Sequence, residues 1–386
     1  MKCLVVITVI LATTLSAQDT AFVRPKALVA GGIYDKPFIT RLGGRTVIGG
    51  YMDVTGAFAR TAGINEGWSF EARRFNLFTY SVVSDGIVVT SEIEIEHGAE
   101  EIRLEYGLVD IALHDAVNLR GGVILSPLGK TNLVHDSPRL ELIERPLLAT
   151  EIIPSTLSEV GVGFFGAVYP SYRSRLTYEI YAVNGFTQDI IEDAPATRIA
   201  AGKNRLFEED NNGEPAVVGR LAFSPAFGSE LGFSLHTGAY NVFSVDGLKV
   251  DSRRMLTILA ADAEHSFGWM NVQAEYVYAS IDLQPSLRGI FAERQYGYSV
   301  ETHVPFGSGL FTRWLRSHLT GSVRVEFVDF DADARGDDHL RTTIGLNLRF
   351  TQDVALKLNY ELNWVRDREG NVERGVRMLL GLASYF

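Results

Sequence analysis

The stretch Leu340-Arg341-Thr342-Thr343-Ile344-Gly345-Leu346-Asn347-Leu348-Arg349-Phe350, then Thr351-Gln352-Asp353, then Val354-Ala355-Leu356-Lys357-Leu358-Asn359-Tyr360-Glu361-Leu362-Asn363-Trp364, decides the fold. In a strand, successive side chains point to opposite faces. Leu340, Thr342, Ile344, Leu346, Leu348 and Phe350 therefore share one face, and Arg341, Thr343, Gly345, Asn347 and Arg349 the other. After a three-residue turn the alternation resumes, with Val354, Leu356, Leu358, Tyr360, Leu362 and Trp364 opposite Ala355, Lys357, Asn359, Glu361 and Asn363. The result is a hairpin of two long strands, each apolar on one side and polar on the other. Strands in globular proteins run to about 5–6 residues, whereas these match the roughly 9–11 that a tilted membrane strand needs.

The same period recurs along the chain. Val89, Ile93 and Ile95 oppose Glu92, Glu94 and Glu96; Val323, Val325 and Phe327 oppose Ser322, Arg324 and Glu326. The pattern predicts sixteen strands, near 46–58, 69–82, 87–97, 102–113, 117–127, 160–169, 174–186 and 215–225 in the first half. The second half gives 229–241, 252–267, 269–281, 294–305, 318–330, 339–350, 354–366 and 373–386. Parity shifts midway through 69–82 and 102–113, which predicts bulges at Arg73-Arg74 and near Asp110. Links after even-numbered strands are mostly tight, and the long ones at 128–159, 187–214 and 282–293 follow odd strands; 306–317 is the exception. An even strand count with short turns at one end and longer loops at the other predicts an all-β fold. The expected architecture is a transmembrane antiparallel β-barrel of about sixteen strands, with a long third external loop folded inward.

The N-terminus agrees with export. Met1-Lys2, the apolar run Leu4 to Leu15 and Ser16-Ala17 before Gln18-Asp19 have the layout of a secretory signal peptide. Its apolar run is too short for a membrane helix, which needs about 20 residues. The predicted division is a signal peptide at 1–17, a lead-in segment at 18–41 and the barrel at 42–386. Cys3, the single cysteine, lies in the leader, so the mature chain has no disulfide or thiolate metal site. The formal charge of −11 becomes −12 without Lys2, and an acidic balance argues against nucleic acid as a partner. At the other end, Val376, Met378, Leu380, Leu382 and Phe386 share the expected lipid face, while Gly375, Arg377, Gly381 and Ala383 look inward. A terminal aromatic on such a strand resembles the signal read by the barrel-assembly machinery, although Tyr385 stands one place off the usual spacing.

Leu128 to Glu159 is the segment with most functional character. A loop this long inside one domain is usually functional or disordered, and Leu133, Leu140, Leu142, Ile143, Leu147 and Leu148 give it apolar anchors. A short helix is expected from about Pro138 to Arg145. Folded into the lumen, the loop would narrow it with Arg139, Glu141, Glu144 and Arg145 against the wall charges Arg73, Arg103, Arg120, Glu92 and Glu94. No metal or cofactor is expected: Asp329-x-Asp331-x-Asp333 opens like a helix–loop–helix calcium loop, but Ala334 and Leu340 stand where glycine and glutamate are required. His236 and His303 fall on lumenal positions near Ser234 and Ser299 without any hydrolase motif, so no enzyme is expected.

A third-loop insertion on sixteen strands looks like the trimeric general porins. Ile48-Gly49-Gly50-Tyr51-Met52-Asp53, Phe70-Glu71-Ala72-Arg73-Arg74, and Leu125-Ser126-Pro127-Leu128-Gly129 feeding Asp136-Ser137-Pro138 are similar to the broad phosphate-selective porin (O and P) family. The resemblance implies a homotrimeric outer-membrane channel in contact with lipid and lipopolysaccharide. That family's ladders of Arg and Lys are not matched in this chain. Projected inward are eleven acids (Glu92, Glu94, Glu96, Glu105, Glu179, Asp262, Glu264, Glu275, Glu301, Glu326, Glu361) and eight bases (Arg103, Arg120, Arg220, Arg324, Arg341, Arg349, Lys357, Arg377). Rings of one sign set ion selectivity, so a mixed lining predicts weak selectivity leaning to cations. The expected function is passive diffusion of small hydrophilic solutes or ions through a water-filled channel. The alternatives are a channel selective for an anion or a sugar, with Tyr51 and Tyr181 as a sliding surface, and a structural or adhesive barrel with a closed lumen.

Overall fold

The computed structural model describes residues 46–191, 197–203, 207 and 209–386. The signal peptide at 1–17, the lead-in segment at 18–41 and the barrel's expected first residues 42–45 lie outside the described residues. The strands are β1 (Thr46–Thr61), β2 (Ile64–Ser84), β3 (Ile87–Glu96), β4 (Glu101–His114), β5 (Val117–Leu125) and β6 (Ser158–Val168). There follow β7 (Arg175–Val183), β8 (Ala216–Ser224), β9 (Ser229–Ala239) and a small hairpin, β10 (Ser244–Val245) with β11 (Leu248–Lys249). The chain continues through β12 (Met255–Ser266), β13 (Asn271–Ile281), β14 (Arg294–Phe306) and β15 (His318–Asp329). It ends with β16 (Asp338–Arg349), β17 (Val354–Arg366) and β18 (Val372–Tyr385).

All strands except β10 and β11 form one closed antiparallel barrel of sixteen. Closure joins β1 to β18 with Tyr51 opposite Tyr385. Gly50 and Phe386 exchange backbone hydrogen bonds at the seam, 3.2 and 3.0 Å long. Closure leaves no unpaired edge, which is what lets a sheet cross hydrocarbon.

The hairpin that decided the fold, β16–β17, carries its faces as expected. Arg341, Thr343, Asn347, Arg349, Lys357, Asn359 and Glu361 are buried inside, while Ile344, Leu346, Leu358 and Tyr360 are exposed outside. Around the barrel, Phe164, Ile180, Leu221, Phe233, Tyr298 and Val325 continue that apolar exterior. A soluble monomer rarely exposes a contiguous apolar patch beyond a few hundred Å². Each such side chain gains about 1.5–3 kcal/mol on leaving water, so the exterior is built for a hydrocarbon surround. On β18, Leu380, Leu382 and Phe386 face out and Gly381 and Ala383 face in; Tyr385 also faces in, which explains its shifted spacing.

The bulge at Arg73 is present: Arg74 pairs with Asp53 and Ala72 with Val54, leaving Arg73 extra. The bulge expected near Asp110 lies instead at Glu105, because Glu92 pairs with Tyr106 and Ile93 with Leu104. The extra residue turns the Glu105 carboxylate into the lumen beside Tyr106, where the third loop meets it. A second irregularity on β4 leaves Leu113 unpaired. Within β5, Gly122 holds φ +131°, and a Cβ there would collide with the Gly107 carbonyl and Leu108 Cα of β4. Only glycine fits this approach.

Links at one barrel end are 62–63, 97–100, 126–157, 184–215, 240–254, 282–293, 330–337 and 367–371. The opposite end has 85–86, 115–116, 169–174, 225–228, 267–270, 307–317 and 350–353. The expected asymmetry holds, with 307–317 again the long member of the short-turn end. Its Phe311 and Trp314 rings pack on Phe350, with centroids 5.8 and 5.2 Å away.

Candidate functional site: the inward loop and its wall

The link 126–157 folds into the lumen and is held there residue by residue. It contains two short helices, α1 (Lys130–Leu133) and α2 (Leu147–Glu151). At its entry Lys130 pairs with Glu230 of β9 at 3.2 Å and with Glu264 of β12, while the Thr131 backbone N–H and hydroxyl donate to Glu275 of β13. The chain then doubles back. Asn132 donates to the carbonyls of Ser126 and Leu157, pinning the loop's two ends together. His135 meets Glu105 at 2.6 Å, the Tyr385 hydroxyl donates to Asp136 at 2.7 Å, and Ser137 bonds Asp53.

The expected helix over Pro138–Arg145 does not form, and the wall supplies the reason. Helical carbonyls need backbone N–H donors four residues on; in this loop, wall side chains take those acceptors instead. Lys357 donates to the Ser137 and Leu140 carbonyls at 2.6 Å each, and Arg349 to the Pro138 carbonyl at 2.9 Å. Asn347 reaches the Glu141 carbonyl, Arg324 the Glu144 carbonyl at 2.9 Å, and Arg341 the Arg145 carbonyl at 2.7 Å. In return Asn359 accepts from Ile143 N–H and Glu326 from Leu147 N–H.

Beyond Pro146 the loop turns apolar. Leu147, Leu148, Ile152, Ile153 and Leu157 pack with Ile190 and Ile199 of the 184–215 link and with Leu256, Ile258, Val277 and Ile281 of the wall. One side of the lumen is therefore filled by an apolar cluster. The other side, against β1–β3 and β18, keeps a polar cavity of about 340 Å³.

The sixteen-stranded barrel has counterparts among solved structures. The anion-selective porin from Comamonas acidovorans aligns over 88% of this chain and 99% of its own, with TM-score 0.56 and 13% identity. The outer membrane channel DcaP of Acinetobacter baumannii aligns over 88% and 97%, with TM-score 0.57 and 12% identity. The fold is that of the outer-membrane porins. A trimer form of OmpT, an outer membrane protein of Vibrio cholerae, shares this porin fold over 89% of the chain and 100% of its own, with TM-score 0.53 and 9% identity. No family model matches the sequence. An uncharacterized protein of Aquifex aeolicus is 33% identical over 174 residues, 43% of this chain and 37% of that protein. The match thus spans little more than a third of the relative's length.

Within the porin fold the candidate constriction residues fall into four places. Arg73, Glu94, Arg103, Glu144 and Arg145 come together around the polar cavity. Arg139, exposed, and Glu141, paired with Arg349 at 2.9 Å, lie on the β16 side. Glu92 accepts from Asn76 at 2.7 Å, away from the cavity. Arg120 grips Asp110 through Nε and Nη2 at 2.6 and 2.7 Å, with its guanidinium over the Phe165 ring. Tyr51 and Tyr181 offer no sliding surface: both are buried, Tyr51 against Phe78 and Tyr385, and Tyr181 with its hydroxyl on Glu179.

Asp53, Asn76 and Glu159, which also line the wall, escaped the sequence reading, as did Lys130, His135 and Lys203 on the loops. Parity with Tyr51 was the available signal for Asp53; nothing local marks Lys203. His236 meets Glu159 at 3.0 Å and His303 meets Ser322 at 2.9 Å, so neither histidine addresses the serine expected beside it. Three of the five aspartates in 329–338 are taken by arginines: Arg294 holds Asp333, Arg366 holds Asp338, and Arg368 holds Asp331.

Glu144 is the loop's clamp on the cavity side, bonded to Arg73 at 2.7 Å and Arg377 at 3.1 Å. Burial works against its ionisation, but the charges of Arg73 and then Arg377, with the Arg73 hydrogen bond, outweigh it and hold the carboxyl at about 2. A carboxyl depressed below its ordinary 4.5 stabilises the folded loop above that pH, and the contribution is lost as pH falls from 4.5 towards 2. The amount is on the order of 3 kcal/mol. Acidification through that window should therefore loosen residues 139–146 and destabilise the channel current, and Glu144→Gln should show the same noise at neutral pH. Recordings that stay quiet in acid and in the variant would refute the clamp.

Proposed function

We propose that the chain is an outer-membrane porin, a water-filled channel that passes small hydrophilic solutes and ions by passive diffusion. The observation that carries this reading is the inward loop, which fills one side of a charged lumen and leaves a polar opening on the other. The apolar exterior supports residence in a bilayer, and the leader at 1–17 supports export to the outer membrane. Exclusion by size comes first; the field at the opening is then set by Arg73, Arg103, Glu94, Glu144 and Arg145, with Arg120, Glu92, Arg139 and Glu141 further along the wall. Because buried acids and bases interlock around the lumen, bulk ion selectivity is weak, leaning to cations. Assembly as a homotrimer, contact with lipopolysaccharide and delivery by the barrel-assembly machinery belong to the same reading; the Vibrio trimer form supports the first.

Purified protein in a planar bilayer should give stepwise conductance, with reversal potentials near zero in a salt gradient of two similarly mobile ions. Absence of any conductance would reject the channel and leave a barrel with a closed lumen, a reading to which the apolar cluster beside α2 lends weight.

A further inference from the structure

We infer that the cavity beside Arg145 is a binding subsite for a small hydroxylated monocarboxylate, held side-on by the Nε and Nη2 edge of that guanidinium. The inference rests on the pore reading above and gives it a solute class.

Five arginines line the cavity, and four have carboxylate partners. Arg73 has Glu144, Arg74 has Glu94 at 3.2 Å and Glu96 at 2.9 Å, Arg103 has Glu101, and Arg377 has Glu361 at 3.2 Å. Arg145 is different. It is 6% exposed, and its Nε and Nη2 are buried with no hydrogen-bond partner. Buried charges are normally paired and hydrogen-bonded, so this edge is an unmet demand. Nε and Nη2 are also the two donors of one side of the guanidinium plane, the side that takes a carboxylate in two parallel bonds. Arg120 shows the completed geometry in the same barrel, its Nε and Nη2 each on one oxygen of Asp110.

The charge around the cavity fixes the ligand's charge. With their partners counted, the five arginines face six carboxylates, Glu71, Glu94, Glu96, Glu101, Glu144 and Glu361, yet none of these pairs with Arg145, so one negative charge answers that guanidinium and a second would meet repulsion. The charge of these arginines is felt nearby. Lys203, whose ammonium donates to the Pro154 carbonyl at 2.8 Å, is pushed down to about 8 by burial and then by the charges of Arg103 and Arg145. The Arg145 guanidinium is itself lowered by burial and then by Arg74. Hydroxyls of Thr55, Ser69, Ser155 and Thr156 line the same space, which suits a ligand carrying several hydroxyls. A cavity of about 340 Å³ lies at the small end of the ~300–1,000 Å³ of ligand pockets.

Gluconate is the probe, with glucose as its neutral and phosphate as its tetrahedral counterpart. In a planar bilayer, gluconate should interrupt the current of the wild-type channel in resolved blocks, glucose should not, and phosphate should block more briefly. Arg145→Gln should shorten the gluconate blocks about tenfold, the change expected for losing one bidentate charge-assisted pair. Arg145→Lys, which keeps the charge and loses the planar edge, should fall between. Heat-modifiable gel migration checks that each variant is folded. Blocks of equal length in wild type and Arg145→Gln, equal block by glucose, or longer block by phosphate would overturn the proposal. If the protein conducts nothing, the pore reading fails on its own. Calorimetric titration of gluconate into the detergent-solubilised full chain then decides the site: binding lost in Arg145→Gln sustains it, and no binding removes it.

Discussion

Excising residues 131–156 should raise the single-channel conductance several-fold while the barrel still migrates as a folded, heat-modifiable species. The barrel survives because the excision is local to the lumen. Leu125 pairs with Ser158, and Ser126 N–H bonds the Leu157 carbonyl at 2.9 Å, so the strand ends are already neighbours and the six residues left between them, 126–130 and Leu157, suffice to join them. The conductance rises because the loop is what occupies the lumen: it crosses to β9, β12 and β13 through Lys130 and Thr131 and returns to β1 and β15–β18. Excision also strips Arg349 and Lys357 of the carbonyls they hold. It equally strips Glu275 and Asp53 of their loop donors and Glu326 of the Leu147 N–H, while Glu326 keeps its two arginines. The excised segment itself carries Asp136, Glu141, Glu144 and Glu151 against Arg139 and Arg145, a net loss of two negative charges, so the rise should come with a shift of the reversal potential towards anions. An unchanged conductance would place the constriction elsewhere, in the 184–215 link that packs on α2, and would refute the loop as the element that narrows the pore.

The barrel was legible because its wall has two solvents. Lipid outside and water or charge inside impose a strict period of two, and β14 to β18 obey it nearly without interruption. Reading failed where one face changed its neighbour. On β12 and β13 the inward residues Leu256, Ile258, Val277, Ala279 and Ile281 are apolar because a folded loop, not water, lies against them, so local alternation says nothing of their direction. The inward path of 126–157 was legible from its length and apolar anchors. Its conformation was not. Carbonyls from Ser137 to Arg145 are satisfied by Arg324, Arg341, Arg349 and Lys357, some 180 to 220 residues away in sequence. A propensity-based helix over Pro138–Arg145 has no means of sensing such donors. Glu105 likewise reaches the lumen through a bulge on β4, where it meets His135 of the loop, a contact that local alternation does not encode.

The largest single-residue effect is expected at Glu326. Its carboxylate accepts from Arg324 Nε at 3.0 Å, Arg341 Nε at 2.6 Å and the Leu147 backbone N–H at 2.6 Å, and it has no exposure. It therefore neutralises two buried guanidiniums and anchors the first residue of α2. Glu326→Ala leaves both charges beside each other without a shared anion and strands a buried N–H. Removing one partner of a buried pair costs about 3–5 kcal/mol. Arg324 retains Glu301 at 3.2 Å, so the damage concentrates on Arg341 and on the loop end at Leu147. The variant should unfold at markedly lower temperature, and protease should cut within 139–151 where the wild type resists. Glu326→Gln keeps an acceptor for Leu147 without the charge and should lie between. The sharper test pairs the change with its partner. If uncompensated charge is the cause, Glu326→Leu with Arg341→Leu should be more stable than Glu326→Leu alone, since an apolar pair replaces a buried ion pair at little cost. A double variant no better than the single one, or a Glu326→Ala protein as stable and protease-resistant as wild type, would mean that the loop is held by its apolar cluster and not by the wall charges.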